Sequence, residues 1–280
     1  MSFRIDRFEM KFVITRQQRE ELVQHLQPHV RADENAGEGA FYPIVSVYYD
    51  NEARDCYWEK IRGERSRRKL RVRIYGSLDG ALPPTTFLEV KHKCEGRGVK
   101  RRVRMPLEEA LLVASGEETS FPLMVADRRI VEEVHQLVHQ RGFRPCCAMR
   151  YDRQAFADRD QESDLRITFD TGIAFRFDHL TPVPDDRNFT LRLHSEDQAV
   201  MELKVTGAVP YWLTRMLGEH GCILRSHSKY CNALEVGDPV LRKMLYGGPN
   251  RFNMPSVLDP SAANVDVTNG SVPNNLKALA

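Results

Sequence analysis

The stretch KLRVRIY at residues 69–75 alternates cationic or polar side chains with aliphatic ones at every second position. Because successive side chains of a β-strand point to opposite faces, this pattern predicts a strand with one apolar and one strongly basic face. The apolar face, with Leu70 and Val72, would pack against a core. The basic face, with Arg71 and Arg73, would lie against water or against an anion.

The same alternation recurs on both sides of this stretch. It is found at 8–14 upstream and, downstream, at 88–93, 99–105, 165–170 and 201–205. A single such face is typical of a solvated sheet surface. Six of them in one chain, rich in Arg and Lys with isolated Glu, favour a sheet whose neighbouring like charges need a compensating anion.

Helix signals are fewer and lie between the predicted strands. Thr15 and Gln18 form a capping-box pattern that predicts a helix at about 16–27. Further helices are predicted by a proline in the first turn, a capping residue or 3.6-residue apolar spacing at 106–109, 127–140 and after Pro210 and Ser228. Many strands with few helices predict an α+β fold, namely a closed antiparallel β-barrel with several helices packed outside it.

Composition places the chain among ordinary globular proteins. Its 280 residues carry 41 Lys and Arg against 39 Asp and Glu, a formal net charge of +2, which disfavours a protein that coats nucleic acid with a uniformly basic surface. No apolar run is long enough to span a membrane, the charged N-terminus is unlike a signal peptide, and the six cysteines lack metal-finger spacing. We therefore expect a cytoplasmic protein.

The chain is expected to form one domain over residues 1–246, followed by a tail at 247–280. The tail opens with two glycines and a proline, is rich in Asn, Ser, Pro and Gly, and lacks apolar periodicity. A segment of this kind cannot bury enough apolar surface to fold alone. We expect it to be disordered or loosely attached.

The basic faces suit a chain of phosphates. Arg guanidinium groups bind phosphate oxygens in pairs, and Lys supplies a point charge. Glu9, Glu89 and Glu202 each stand two residues before a Lys, so a carboxylate and an ammonium share one strand face. Carboxylates repel phosphate unless a divalent cation such as Mg²⁺ or Mn²⁺ bridges them. Plain ion pairing explains the same spacing, so the residues alone leave the metal open.

Eight short motifs in order resemble one known family. They are Phe8-Glu9-Met10-Lys11-Phe12, Val47-Tyr48-Tyr49-Asp50-Asn51, the segments 70–76, 88–92, 150–156, 165–171 and 201–204, and Ser226-His227-Ser228-Lys229-Tyr230. Over residues 3–245 the chain resembles the VTC domain, a polyphosphate polymerase domain of the triphosphate tunnel metalloenzyme superfamily, and its bacterial relatives. One position departs from the family pattern, because Ser226 stands where a second Lys is found.

The resemblance implies a tunnel in which the γ-phosphoryl group of ATP is transferred to a growing polyphosphate chain, with release of ADP. It implies catalytic phosphate contacts at Lys11, Arg71, Arg73, Lys91, Arg153, Arg166, Lys204 and Lys229. It implies a Mn²⁺ or Mg²⁺ ligand at Glu202, with Glu9 and Glu89 as helpers. Substrate-binding positions are predicted on the same strand faces and motifs, at Lys69, Tyr75, Lys93, Lys100, Arg102, Arg104, Tyr49 and Ser228.

Two other functions use the same residues. A metal-dependent inorganic or nucleoside triphosphatase differs only in its acceptor, which is water. A non-catalytic module that binds polyphosphate or nucleic acid is the third possibility, because residues 60–73 are densely basic and Tyr48, Tyr49, Tyr57 and Trp58 offer rings for stacking. The motifs favour ATP and polyphosphate as partners, with no nucleic acid expected and the oligomeric state left open. P-loop, protein-kinase and HExxH signatures do not occur in the sequence.

Overall fold

The computed structural model describes residues 7–33, 41–76, 86–95, 97–160, 163–183 and 186–246. The predicted tail at 247–280 lies outside the described residues. The strands are β1 Arg7–Thr15, β2 Val30–Ala32, β3 Tyr42–Asp50, β4 Ser66–Tyr75, β5 Thr86–Cys94, β6 Arg97–Met105, β7 Arg144–Asp158, β8 Arg166–Arg176, β9 Leu191–Arg192 and β10 Gln198–Thr206. The helices are α1 Arg16–Leu26, α2 Asp55–Ile61, α3 Leu107–Ser115, α4 Val125–His139, α5 Tyr211–Glu219, α6 Lys229–Gly237 and α7 Pro239–Tyr246.

The strands form one antiparallel sheet in the order β1-β10-β8-β7-β3-β4-β5-β6, with β2 beside β7 and β9 beside β8. This confirms the predicted α+β class with an antiparallel sheet. The predicted closure into a barrel is wrong, because the described residues show no backbone pairing between the edge strands β1 and β6. Period-two alternation reports which face a side chain occupies and carries no information about whether two edges meet.

The open sheet is nevertheless curled, so that side chains from its two ends meet. Lys91 of β5 lies with Nζ 3.2 Å from Oε2 of Glu9 on β1. The outer edge of β1 is partly covered by later chain, since Phe12 forms a backbone bridge with Leu224 and the Arg225 N–H donates to the Lys11 carbonyl at 2.8 Å. These contacts protect a strand edge that would otherwise expose unpaired backbone groups.

Helices cover the apolar side of the sheet. The predicted capping box at Thr15 and Gln18 is present, with both of its hydrogen bonds, and begins α1. Helices were also predicted at α3, α4, α5 and α6, whereas α2 and α7 were not predicted. Leu70, Val72 and Ile74 of β4 are fully buried, as their alternation predicted. The opposite side of the sheet, called the inner face below, carries the charged residues.

No helix within the described ranges combines the length and the apolar character needed to cross a membrane.

Candidate functional site

Strand register brings the inner-face residues into cross-strand pairs. Lys11 of β1 lies opposite Glu202 of β10, which in turn lies opposite Thr168 of β8. Arg153 of β7 lies opposite Asp170 of β8. Residues directly opposite on one face are close enough for their side chains to interact. Pairing between strands distant in sequence therefore assembles one charged cluster.

Glu202 lies at the centre of this cluster. Its carboxylate is 2.9 Å from Lys229 Nζ, 3.6 Å from Lys11 Nζ, 3.6 Å from Lys204 Nζ and 4.0 Å from Arg153 Nη2. Burial raises the pKa of Glu202, but the four cations outweigh it and hold that pKa well below its usual range. Glu202 is therefore a carboxylate at neutral pH. The sequence had named all five of these residues as site candidates.

Burial has the larger influence on Lys204. It lowers the pKa of Lys204 to about 8, even though Glu202 and Glu9 act to raise it. A bound polyanion would add negative charge beside this ammonium and favour its protonated form. Lys204 is therefore mostly a cation at neutral pH and loses its charge at lower pH values than an ordinary lysine.

Asp170 is a site residue that the sequence analysis missed. Its side chain is fully buried and accepts two hydrogen bonds from Arg153, at 2.6 and 2.7 Å. Lys229 Nζ lies 2.6 Å from the same carboxylate. Burial raises the pKa of Asp170, but the positive charges of Arg153 and Lys229 outweigh burial and hold that pKa below its ordinary value. The sequence did contain a signal for Asp170. It is the acidic residue at the end of the alternating series Arg166, Thr168, Asp170 on one strand face.

Tyr151 was also missed and lies among three cations. Its ring centroid is 5.1 Å from Lys229 Nζ, 5.4 Å from the Arg153 guanidinium and 5.9 Å from that of Arg73. Its hydroxyl accepts a hydrogen bond from Arg73 Nη2 at 2.9 Å. Arg73 also donates to Ser46 Oγ at 2.8 Å. A ring face attracts cations, so Tyr151 holds these groups together without adding a formal charge.

The β4, β5 and β6 part of the inner face is organised around Glu89. Arg71 Nε donates to this buried carboxylate at 2.6 Å, and Lys100 Nζ lies 3.5 Å from it. Burial raises the pKa of Glu89, but the positive charges of Arg71, Arg73 and Lys100 outweigh burial and hold that pKa below its ordinary value. Arg71 also donates to the Tyr48 hydroxyl at 3.3 Å. Glu89 thus pairs with two cations, while its Oε1 accepts no hydrogen bond within the described residues.

Ser228 and His227 at the start of α6 contact two cations of the inner face. Ser228 is the N-cap, and its hydroxyl accepts from the Cys231 N–H at 3.4 Å. Lys69 Nζ lies 3.3 Å from the same hydroxyl, which connects β4 to this helix end. Lys11 Nζ donates to the His227 carbonyl at 3.2 Å. A helix N-terminus carries partial positive charge and adds to the attraction for anions.

The remaining predicted residues lie away from the centre. Lys93 and Arg104 are exposed near the rim, and Arg166 is paired with Asp33 at 2.7 Å. Tyr49 was predicted to contact substrate, but the structure packs it in the apolar core on the opposite face of β3. Successive side chains of a strand point to opposite faces, and the neighbouring Tyr48 lies on the inner face. The others line the inner face toward its edges, at Glu9, Tyr75, Lys91 and Arg102.

Oxygen ligands for a divalent cation lie together at Glu202 and Thr168. Thr168 Oγ1 is buried with no hydrogen-bond partner among the described residues, directly across from Glu202. A hydroxyl and a carboxylate are hard ligands that suit Mg²⁺ or Mn²⁺. The described part of the chain offers no group of three or more His, Cys, Asp or Glu that could hold a metal, and four cations surround Glu202. These residues fit a cation that arrives together with phosphate oxygens, which would complete its coordination.

Three known proteins or families are similar to this chain. The VTC domain family model matches residues 6–237. Vacuolar transporter chaperone complex subunit 4 from Schizosaccharomyces pombe is 30% identical over 149 residues, which is 47% of this chain and 20% of that protein. The chain thus spans about a fifth of that relative's length. A crystal structure of a candidate adenylate cyclase from Bacillus halodurans superposes with a TM-score of 0.45 and 10% identity, over 80% of this chain and 94% of that one. The match over most of its length shows that this chain belongs to the VTC domain family.

Proposed function

We propose that this protein makes inorganic polyphosphate by transferring the γ-phosphoryl group of ATP to the end of a polyphosphate chain, with release of ADP. The observation that carries the proposal is the buried cluster in which Lys11, Lys204, Lys229 and Arg153 surround Glu202. These four cations outnumber the three carboxylates beside them, Glu9, Asp170 and Glu202, so the cluster keeps a positive charge that attracts a polyanion.

The cations bind and orient the two phosphate substrates. Arg153 and Arg73 are held by Asp170, Tyr151 and Ser46, so their guanidinium planes have defined directions before any ligand binds. Such preorganisation lowers the entropy cost of aligning the donor phosphate with the acceptor. Lys11 and Lys229 supply point charges that can follow the moving negative charge.

The chemistry itself demands little from the protein. The bond between the γ-phosphorus and the β–γ bridging oxygen breaks, and a new bond forms between that phosphorus and a terminal oxygen of the chain. This oxygen is already ionised near neutral pH, so no general base is needed. Fixed positive charge stabilises the transferred group in the transition state. A bound Mn²⁺ or Mg²⁺ would neutralise phosphate charge beside Glu202 and Thr168.

Family membership supports the choice of acceptor. The resemblance to the VTC domain implies polyphosphate synthesis, and the fission-yeast relative is named as a subunit of a vacuolar transporter chaperone complex. A triphosphatase would use the same cations and a water molecule as acceptor. The two reactions differ in their products, so product analysis separates them.

The test is incubation of the purified protein with ATP and Mn²⁺, followed by separation of ADP, orthophosphate and polyphosphate. We expect ADP and polyphosphate to appear together, with little orthophosphate. A matched control is Arg215→Ala, which removes an exposed cation from α5 that pairs with Glu219 at 2.7 Å. We expect this variant to behave like the wild type.

Two outcomes would contradict the proposal. Orthophosphate release without polymer would identify a triphosphatase. Absence of turnover with ATP, tripolyphosphate and polyphosphate alike would leave a binding module.

Lys11→Ala should abolish polymer formation, since it removes a cation 3.6 Å from Glu202.

A further inference from the structure

Cross-strand partners on β4, β5 and β6 carry like charges. Lys69 lies opposite Lys91, Lys91 lies opposite Lys100, and nearer the strand ends Arg67 lies opposite Lys93. Like charges placed directly opposite each other destabilise a sheet unless something neutralises them. Each of these like-charged pairs therefore requires a neighbouring anion.

The inner members of the series have carboxylate partners. Lys91 pairs with Glu9 at 3.2 Å, and Lys100 lies 3.5 Å from Glu89. The outer members differ. Arg67 has one weak contact, at 3.5 Å, with the carbonyl of Glu59. The side chains of Lys93 and Arg65 make no hydrogen bond or ion pair within the residues that the structure describes.

These outer cations line an open groove. Its lining residues are Gly63, Glu64, Arg65, Arg67, Lys93 and Glu95, and its volume is about 460 Å³. Gly63 has a φ of +70°, and no atom lies within 4 Å of the position its Cβ would occupy, so nothing crowds this side of the groove. Three cations line the groove against two carboxylates, Glu64 and Glu95, which leaves an excess of one positive charge. Glu64 also lies 3.9 Å from Arg62, outside the lining.

The groove is continuous with the inner-face cluster. Arg67, Lys69 and Arg71 occupy alternate positions on one face of β4 and are therefore about 7 Å apart in succession. Lys69 contacts Ser228 at the start of α6, and Arg71 contacts Glu89. A row of cations thus leads from the cluster to the outside of the protein.

We propose that this groove binds the part of a long polyphosphate chain that extends beyond the inner-face cluster. The inference rests on the proposed function, and it adds a second contact surface that a long chain reaches and a short chain does not. A linear polyanion fits because each unit carries negative charge and needs no base-specific contact. Nucleic acid fits less well, because none of the six lining residues is aromatic and bases would have no ring to stack on.

The test compares binding of long and short chains, without turnover. The double variant Arg65→Gln, Arg67→Gln removes two groove cations and leaves every predicted catalytic residue in place. By calorimetry, we expect its Kd for polyphosphate of about one hundred units to rise about tenfold, with a shallower salt dependence. Its Kd for tripolyphosphate should stay within about twofold of wild type, because a short chain does not reach the groove.

The matched control is Arg128→Gln, Arg129→Gln, which removes two exposed cations from α4. It should leave both Kd values unchanged. Equal long-chain affinity in the groove variant and wild type, or equal weakening for both ligands, would overturn the proposal. A single-stranded oligonucleotide that binds wild type as tightly as polyphosphate, and loses affinity in the groove variant, would also overturn it.

This experiment separates the groove from the reaction. If the protein releases no ADP but the groove substitutions weaken binding of the long chain and not of tripolyphosphate, the proposed function fails and the groove stands. If ADP and polyphosphate form normally while long-chain binding is unaltered, the groove fails and the proposed function stands.

Discussion

The inner face has two halves that handle positive charge in different ways. The carboxylate half, on β1, β7, β8, β10 and α6, consists of Glu9, Lys11, Arg153, Asp170, Glu202, Lys204 and Lys229. Its cations all lie within 4.0 Å of a carboxylate. The cationic half, on β4, β5 and β6, consists of Lys69, Arg71, Arg73, Glu89, Lys100 and Arg102. Within these three strands as described, Glu89 is the one carboxylate on the inner face.

This difference separates two tasks. In the carboxylate half, Asp170 and Glu202 fix the positions of Arg153 and Lys229 before any ligand arrives, as a reaction centre requires. In the cationic half, the excess charge is left for the ligand to neutralise, which favours binding of a polyanion. We therefore expect substitutions in the first half to impair both folding and turnover, and substitutions of the exposed Lys100 and Arg102 in the second half to impair mainly binding.

The largest effect should follow removal of the charge on Asp170. Asp170→Asn leaves Arg153 and Lys229 buried with one partner fewer, and breaking a buried pair of this kind costs about 3–5 kcal/mol. Polymer formation should fall by about a thousandfold, because two cations lose their orientation. Urea unfolding and a turnover assay measure the two losses.

The control for Asp170→Asn is a carboxylate in a similar position on the other side of the sheet. Glu133 of α4 pairs with Arg68 at 2.9 Å and Arg101 at 2.6 Å, away from the inner face. Glu133→Gln should lower stability without affecting turnover per folded molecule. If both variants lower turnover equally, Asp170 acts through stability alone and the special role of its half is disproved.

A second prediction concerns the divalent cation. Wild-type protein should bind Mn²⁺ weakly alone and tightly together with tripolyphosphate, because four cations surround Glu202. Glu202→Gln should abolish the tight binding, as seen by electron paramagnetic resonance of Mn²⁺, and lower turnover about a hundredfold.

Glu89→Gln supplies the comparison from the cationic half. Glu89 is also buried, and its carboxylate contacts Arg71 and Lys100 of the cationic half. We expect this variant to retain tight Mn²⁺ binding in the presence of tripolyphosphate. Loss of binding in Glu89→Gln with retention in Glu202→Gln would move the metal to the other half.

The sequence predicts faces better than it predicts partners. Alternation placed Lys11, Glu202 and Lys204 on charged strand faces, and the structure brings these three side chains together. Arg153 came from the motif resemblance and lies beside them. Asp170 escaped notice because its importance lies in its register with Arg153, and local alternation does not encode pairing between strands.

Secondary structure shows the same limit. Strand β3 is buried at all nine positions, so it lacks the alternation that marked the others. Its full burial arises from its place in the middle of a curled sheet, with cations on one side and helices on the other. The open edge between β1 and β6 likewise depends on tertiary curvature. Motif resemblance recovered what periodicity omitted, since it included residues of β3.

A third prediction uses pH to probe the carboxylate half. His194 and His227 are buried beside it, with their Nε2 atoms 2.9 Å apart. Burial and Lys229 lower the pKa of His194 to about 4; burial, Lys229, His194 and Lys11 lower that of His227 to about 3. The unfolded chain binds these protons near pH 6.5, so it holds more protons than the folded chain below that pH.

The contribution of the two neutral histidines should therefore be complete above about pH 7.5 and fall as the pH is lowered toward 4, by roughly 4 kcal/mol between pH 7 and 5. Urea midpoints across this range measure the effect. The double variant His194→Gln, His227→Gln should show a flat profile there. The carboxylates with lowered pKa values act only at lower pH, so an equally steep profile in the variant would exclude the histidines as its cause.

The smallest effect is expected in the cationic half. Lys100 is half-exposed, and burial together with the neighbouring Arg71 lowers its pKa while Glu89 acts to raise it. Lys100→Gln should weaken tripolyphosphate binding about tenfold at low salt, with the difference shrinking as salt is added. Its unfolding free energy should change by less than about 0.5 kcal/mol, because relief of repulsion offsets the lost contact with Glu89. A large loss of stability would mean that this half, too, depends on internal pairing, and the distinction between the halves would then fail.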